Sequence, residues 1–196
     1  MPVPRKHKHL PVVLSGTQVT ALLKAIRKPK YRAIMMTIYA GGLRILEACR
    51  LHPEDIDSQR MVINIRGKGD KDRCTMLSGR LLQHLRDYWR CTRPQNGWMF
   101  PGGTKDGHTS TNTVRKVFHK AVAAAGITKG ITPHSLRHAF ATHLIETGTD
   151  VTVVQALLGH KSLRTTEVYT HTSVEQIART KSPLDLLNTP SGRILG

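Results

Sequence analysis

Residues 132–171 read TPHSLRHAFATHLIETGTDVTVVQALLGHKSLRTTEVYTH, and this stretch decides how the rest of the chain is understood. Leu136, Phe140 and Leu144 recur at helical spacing, and Val151, Val154, Leu157 and Leu158 do so again further on. Those apolar residues must point into a core. Three polar clusters fall outside them: His134 with Arg137, then Leu158-Gly159-His160, then Tyr169. They are therefore expected on the opposite face or at helix ends, where they can converge. An arginine that forks onto two phosphate oxygens, two histidines that move protons near neutral pH, and a tyrosine make a coherent set. Such a set can attack a phosphodiester without a metal ion. Each member alone has a plainer explanation. Pro133-His134 can simply open a helix, Gly159 can close one at a left-handed position, and a single tyrosine is commonly half-buried in a core. Their joint occurrence, in this order, carries the reading.

The charge balance agrees with it. Thirty Lys and Arg stand against 13 acids, a net +17 with neutral histidine. That excess suits a polyanion, nucleic acid first, although a merely basic protein shares it. The scarcity of acids argues against a two-metal nuclease, which needs clustered carboxylates. A length of 196 residues fits one domain with short tails. Cys49, Cys74 and Cys91 form no CxxC pair, and their odd number suits a reducing cytosol. The basic N-terminus is followed by no apolar signal region, and no run approaches the roughly 18 apolar residues of a membrane span. A cytoplasmic protein with no membrane partner is expected.

Upstream of the deciding stretch, residues 1–13 are basic and broken by prolines. Arg5, Lys6 and Lys8 either lie along a phosphate backbone or form a solvated tail. Leu14-Ser15 starts a helix with Val19, Leu22, Leu23 and Ile26 on one face, which Pro29 is expected to end. A second helix, about 31–40, is apolar nearly all round and reads as the central core helix. Gly41-Gly42 then allow close backbone approach to a ligand before another helix begins. Arg44 in the first turn opposes the helix dipole; a local anion explains it, as does a pair with Glu47 at i+3. Met61–Ile65 and Arg73–Leu77 alternate as a hairpin whose tip carries lysines. Ser78 caps an amphipathic helix to about Arg90, and Trp98–Pro101 reads as a short edge strand stopped by its proline. A helix from Ser110 or Thr111 to about Ala125 sets Arg115, Lys116, His119 and Lys120 along one side, facing either a DNA groove or solvent. His134 and His138 have a spacing that can hold zinc, but no HExxH glutamate, cysteine or nearby acid completes a site, so no metal is expected. The fold class expected is α+β, mainly α-helical, with a small antiparallel sheet.

The strings TPHSLRHAFATHL, LLGH and YTH resemble the C-terminal catalytic motifs of tyrosine recombinases, the phage-integrase and Xer group. Gly41-Gly42-Leu43-Arg44-Ile45-Leu46-Glu47 resembles the same family's first arginine motif, departing from it at Leu46, where a small polar residue is common. The resemblance covers most of the chain and implies a catalytic domain over residues 14–180. It implies that Tyr169 is the nucleophile, forming a 3′-phosphotyrosyl link to DNA, with no cofactor. Arg44 and Arg137 would hold the phosphate's non-bridging oxygens, with Glu47 as a buttress. His134 would take the tyrosine proton or donate to the phosphate, and His160 would add a hydrogen bond. Lys68 in GKGDKDR would protonate the departing 5′-hydroxyl, with Lys71 as competitor. The implied partner is double-stranded DNA, met by Arg5, Lys6, Lys8, Lys71, Arg115, Lys116, Lys120, Lys161 and Arg164. A homo-oligomer, a tetramer on DNA, is implied, as is a bacterial mobile-element setting by the ARTKSPLDLL ending. Family members carry an N-terminal core-binding domain, which is expected to be absent from this chain, residues 1–13 resembling the linker that follows it. After a short helix at about 173–180, residues 181–196 look like a segment exchanged with a neighbouring protomer, self-docking being the alternative. Two other functions stay in view: a catalytically silent DNA-binding regulator or relic, and a relaxing enzyme like the type IB topoisomerases.

Overall fold

The computed structural model describes residues 13–66, 72–94, 97–103, 107–159, 177 and 180–187. Its centre is the helix that the sequence makes apolar on every side. This helix, α2, runs Pro29–Gly41 and buries every residue from Ala33 to Gly41. Ile34, Met35, Tyr39 and Ala40 have no exposed surface at all. A helix buried all round needs neighbours on every face, and the rest of the chain supplies them.

Before it, α1 (Gly16–Ala25) is capped by Ser15, whose hydroxyl accepts from the backbone of Gln18. Pro29 does not end that helix, as the sequence reading expects; α1 stops at Ala25, and Pro29 is the first residue of α2. The first helical N–H has no intrahelical partner, so proline there sacrifices nothing. After α2 come α3 (Ile45–Cys49), a 3-10 turn (Pro53–Asp55) and three short strands. These are β1 (Ile56–Asp57), β2 (Val62–Ile65) and β3 (Arg73–Met76), in the order β1-β2-β3 and antiparallel throughout. The expected hairpin is present, with Val62 opposite Met76 and Ile65 opposite Arg73.

Next, α4 (Gly79–Thr92) is capped by Ser78 as expected, and α5 (Thr111–Ala124) by Ser110. Between them Trp98–Pro101 makes no strand. Only Pro101 pairs, with His108, in an isolated bridge, and Pro101 has no N–H to extend a ladder. Buried Met99 and Phe100 hold the segment instead, Phe100 lying 5.4 Å from the Tyr88 ring. Then α6 (Pro133–Glu146) and α7 (Val151–Leu158) occupy the deciding stretch. Helix α6 packs on α2, and α7 packs on both α6 and β3.

Near the C-terminus α8 (Pro183–Leu186) lies on its own chain's α2, α4 and α6. The Arg80 guanidinium donates to the carbonyls of Leu184 (2.8 Å) and Leu187 (2.7 Å), and Leu184 is buried. Residues 183–187 thus lie against helices of the same chain.

The last turn of α2 is where these parts meet. A helix end leaves its final carbonyls without intrahelical partners. Here Ala40 O accepts from Ser182 Oγ at 2.9 Å, and Gly41 O accepts from Thr75 Oγ1 at 2.7 Å. Gly42 O accepts from the Arg137 guanidinium. Three consecutive carbonyls are thus bonded to the C-terminal tail, the sheet and α6.

Candidate active site

The site begins at Gly42. This residue closes α2 in the left-handed region, at φ 63°. A Cβ there would stand 2.5 Å from Cε1 of Phe140 and 3.2 Å from Leu158, so only glycine lets α6 and α7 close on this turn. Arg44 follows as the extended N-cap residue of α3. Glu47 reaches back over that first turn, accepting from Arg44 N (2.7 Å) and from Arg44 Nη1 (2.7 Å). An acid at this position also suits the positive end of the helix. The pairing read from the sequence is present, and it holds a side chain that is 51% exposed.

Arg137 departs from expectation. The sequence reading displays it away from the core, whereas the structure buries its side chain to 4% exposure. Its guanidinium turns inward, donating to Gly42 O and to Leu158 O at 2.6 Å. The reason is the pair of helix ends beside it. Both α2 and α7 terminate there, and each leaves carbonyls that need a donor. Arg137 Nη1 also lies 4.0 Å from Glu47 Oε2.

Arg73 is a residue the sequence reading did not assign to the site. It opens β3 at a buried position, and its Nη2 donates to Glu47 Oε2 at 2.7 Å. Its Nη1 donates to Leu157 O at 3.3 Å. The consecutive carbonyls of Leu157 and Leu158, at the negative end of α7, therefore each accept from an arginine. Gly159 then turns left-handed at φ 64°, and a Cβ there would come within 2.6 Å of the Arg73 Cδ and Nε atoms. One local signal existed for Arg73: a charge at a strand position that alternation turns inward, with Thr75.

One carboxylate thus faces three guanidiniums, a local surplus of positive charge. Burial alone would push the Glu47 carboxyl up. The Arg73 charge, with the Arg44 N–H and guanidinium, outweighs it and holds Glu47 below the usual carboxylate range. The carboxylate stays ionised, and the arginine that reaches solvent is Arg44.

His134 lies exposed in the first turn of α6, one turn before Arg137 on the same helix. Its ring centroid is 5.8 Å from that of His138. Among the described residues no group of three or more His, Cys, Asp or Glu side chains converges in a way that could hold a metal. Arg115, Lys116 and Lys120 are exposed on α5, opposite buried Val114, Phe118 and Ala121, and α5 packs against α3. Lys68, Lys71, His160, Lys161, Arg164 and Tyr169 lie outside the described residues, as do Arg5, Lys6 and Lys8. No helix among the described residues is long and apolar enough to cross a membrane.

Known proteins resemble this chain in sequence and in fold. The sequence profile of the phage integrase family matches residues 12–176. A putative integrase/recombinase of Sinorhizobium fredii is 48% identical over 193 residues, covering 97% of this chain and 62% of the relative. The chain thus spans 62% of that relative's length. Among solved structures, the XerA recombinase superposes with a TM-score of 0.72 at 34% identity, over 85% of this chain and 62% of that one. The XerH site-specific recombinase bound to its difH substrate, in a pre-cleavage complex, gives 0.68 at 29%, over 83% and 51%. The mainly helical fold with a small antiparallel sheet is the fold of these catalytic domains.

Proposed function

The chain belongs to the phage integrase family, and on that footing we propose that it breaks and rejoins double-stranded DNA at a specific site through a 3′-phosphotyrosyl intermediate. The observation that supports this best is the arginine cluster at Glu47. An exposed Arg44 is pinned by a carboxylate that two buried arginines also attend, at the turn leading to His160. Such a fixed array of donors suits charge that builds on a phosphate in the transition state, because the donors need no reorganisation when it develops.

In this reading the Tyr169 oxygen attacks the scissile phosphorus. The phosphorus–5′-oxygen bond breaks, the tyrosine proton passes to His134, and the leaving 5′-oxygen takes a proton from Lys68. Arg44 and Arg137 meet the non-bridging oxygens, with His160 as a further donor. A phenol of pKa about 10 is a poor nucleophile at neutral pH, and a cationic cluster favours its phenolate. The phosphotyrosyl link conserves the energy of the broken bond, so rejoining runs as the reverse reaction. Exposed Arg115, Lys116 and Lys120 on α5 meet DNA phosphates, and the working assembly is a homo-oligomer, a tetramer on DNA. Its salt-dependent sizing on DNA tests that last statement.

The experiment for the reaction is covalent trapping. The protein is incubated in EDTA with nicked DNA from the flanks of its own gene and run on a denaturing gel. A protein–DNA band formed by the wild type and missing from Tyr169→Phe is the expected result. Binding without any such band would point to a silent DNA-binding protein, and relaxation of supercoils without recombinant products to a topoisomerase-like activity.

A further inference from the structure

We propose that Arg73 is a positioning residue for strand cleavage, its buried guanidinium fastening the carboxylate that holds Arg44 to the end of the helix that leads to His160. This rests on the recombinase reading above and adds to it a residue outside the phosphate-contacting set.

Three observations carry it. First, Arg73 bonds across the site. Nη2 meets Glu47 Oε2 at 2.7 Å and Nη1 meets Leu157 O at 3.3 Å, partners 26 residues upstream and 84 downstream. Second, its side chain is only 7% exposed, so it sits behind the surface that a DNA phosphate would touch. It acts through Glu47 and the α7 terminus rather than on substrate. Third, Gly159 is folded against its aliphatic stem, with no room for a Cβ. The residue just before His160 therefore takes its left-handed conformation on the surface that Arg73 provides.

The planar guanidinium suits this task. It presents N–H groups in fixed directions, so one cation spans a carboxylate and a carbonyl at once. A lysine ammonium keeps the charge but offers a single nitrogen on a flexible stem, and cannot reproduce both bonds in the same geometry. Arg73→Lys therefore separates charge from bridging geometry. The Glu47 carboxyl is a second reporter, since the Arg73 charge helps to hold it low.

The test compares wild type, Tyr169→Phe, Arg73→Lys and Arg73→Met as full chains. Three quantities are read: the single-turnover rate of covalent complex formation on nicked flanking DNA, the Kd for that DNA at fixed salt, and the carbon-13 titration of the Glu47 carboxyl without DNA. For Arg73→Lys the expected result is cooperative unfolding, a Kd within about threefold of wild type, and a cleavage rate at least about 30-fold lower, the size expected when a catalytic donor loses its support. In Arg73→Met the Glu47 carboxyl should titrate at higher pH. If Arg73→Met does not fold, Arg73→Lys decides alone. Cleavage by Arg73→Lys at the wild-type rate, or reduced only in proportion to its folded fraction, overturns the proposal. A wild type that forms no covalent product overturns the recombinase reading itself, and a catalytic use for the clamp with it. The two failures are thus told apart by the wild-type lane.

Discussion

Replacing Glu47 with glutamine removes one charge and leaves the shape almost unchanged, so it weighs the arginine cluster directly. Glu47 Oε1 accepts from Arg44 Nη1, and Oε2 accepts from both Arg44 N and Arg73 Nη2, all at 2.7 Å. Glutamine keeps one acceptor oxygen and turns an NH2 group toward donors. Hydrogen bonds to charged groups contribute about 1.5–3 kcal/mol each. The share of the half-exposed Arg44 is screened by solvent, whereas the buried Arg73 loses the Glu47 charge, and breaking a fully buried pair costs about 3–5 kcal/mol. Because Glu47 is itself 18% exposed, the expected cost lies at the lower end, about 3 kcal/mol. For a chain of this size that lowers Tm by about 6–12 °C. Urea unfolding of wild type and Glu47→Gln at pH 7, with m unchanged, is the assay. The pH dependence sharpens it. A carboxyl held below its ordinary 4.5 contributes fully above that value and loses its contribution as pH falls through the lower folded pKa. The gap between wild type and Glu47→Gln should therefore be constant near neutrality and close in acid, below pH 4.5. A loss under about 1 kcal/mol, or a gap that widens in acid, would refute the reasoning.

Three further outcomes follow from the same geometry. Gly42→Ala must take a positive φ and displace the Phe140 ring, so thermal unfolding should show a loss of about 2–4 kcal/mol. Arg80→Ala removes the donor to Leu184 O and Leu187 O, and limited proteolysis should cut the C-terminal tail about tenfold faster or more, while α1–α7 stay protected. Arg44→Ala, at an exposed position, should change stability by less than about 1 kcal/mol yet slow covalent trapping about 100- to 1,000-fold.

Much of this was legible in the residues because it is written in local periods. The helical spacing of Leu136, Phe140 and Leu144, the alternation of Val62–Ile65, and the Ser15, Ser78 and Ser110 caps each depend on neighbours a few positions away. The Arg44–Glu47 pair is equally local, at i+3. What sequence missed is long-range. Arg73 draws its meaning from Glu47 and Leu157, and nothing near it in the chain announces either. Arg137 was expected on a displayed face because spacing cannot show that two helix ends would arrive beside it. The prolines misled for a related reason. Pro29 and Pro101 mark discontinuities, but whether a helix begins or ends at one, or a strand fails to form, depends on which N–H groups were needed there.

The final turn of α2 has a consequence for how this protein tolerates changes of length. Its three successive carbonyls, Ala40, Gly41 and Gly42, are addressed by three segments that arrive from different directions. Each added residue rotates a helix by about 100° and advances it by about 1.5 Å. A single insertion or deletion between Ala33 and Gly42 would therefore swing all three acceptors away from Ser182, Thr75 and Arg137 together. Substitutions at this junction are graded in effect, but its residue count is all or nothing. Loops elsewhere in the chain can lengthen at little cost, while this turn behaves as a three-pin connector whose spacing cannot drift.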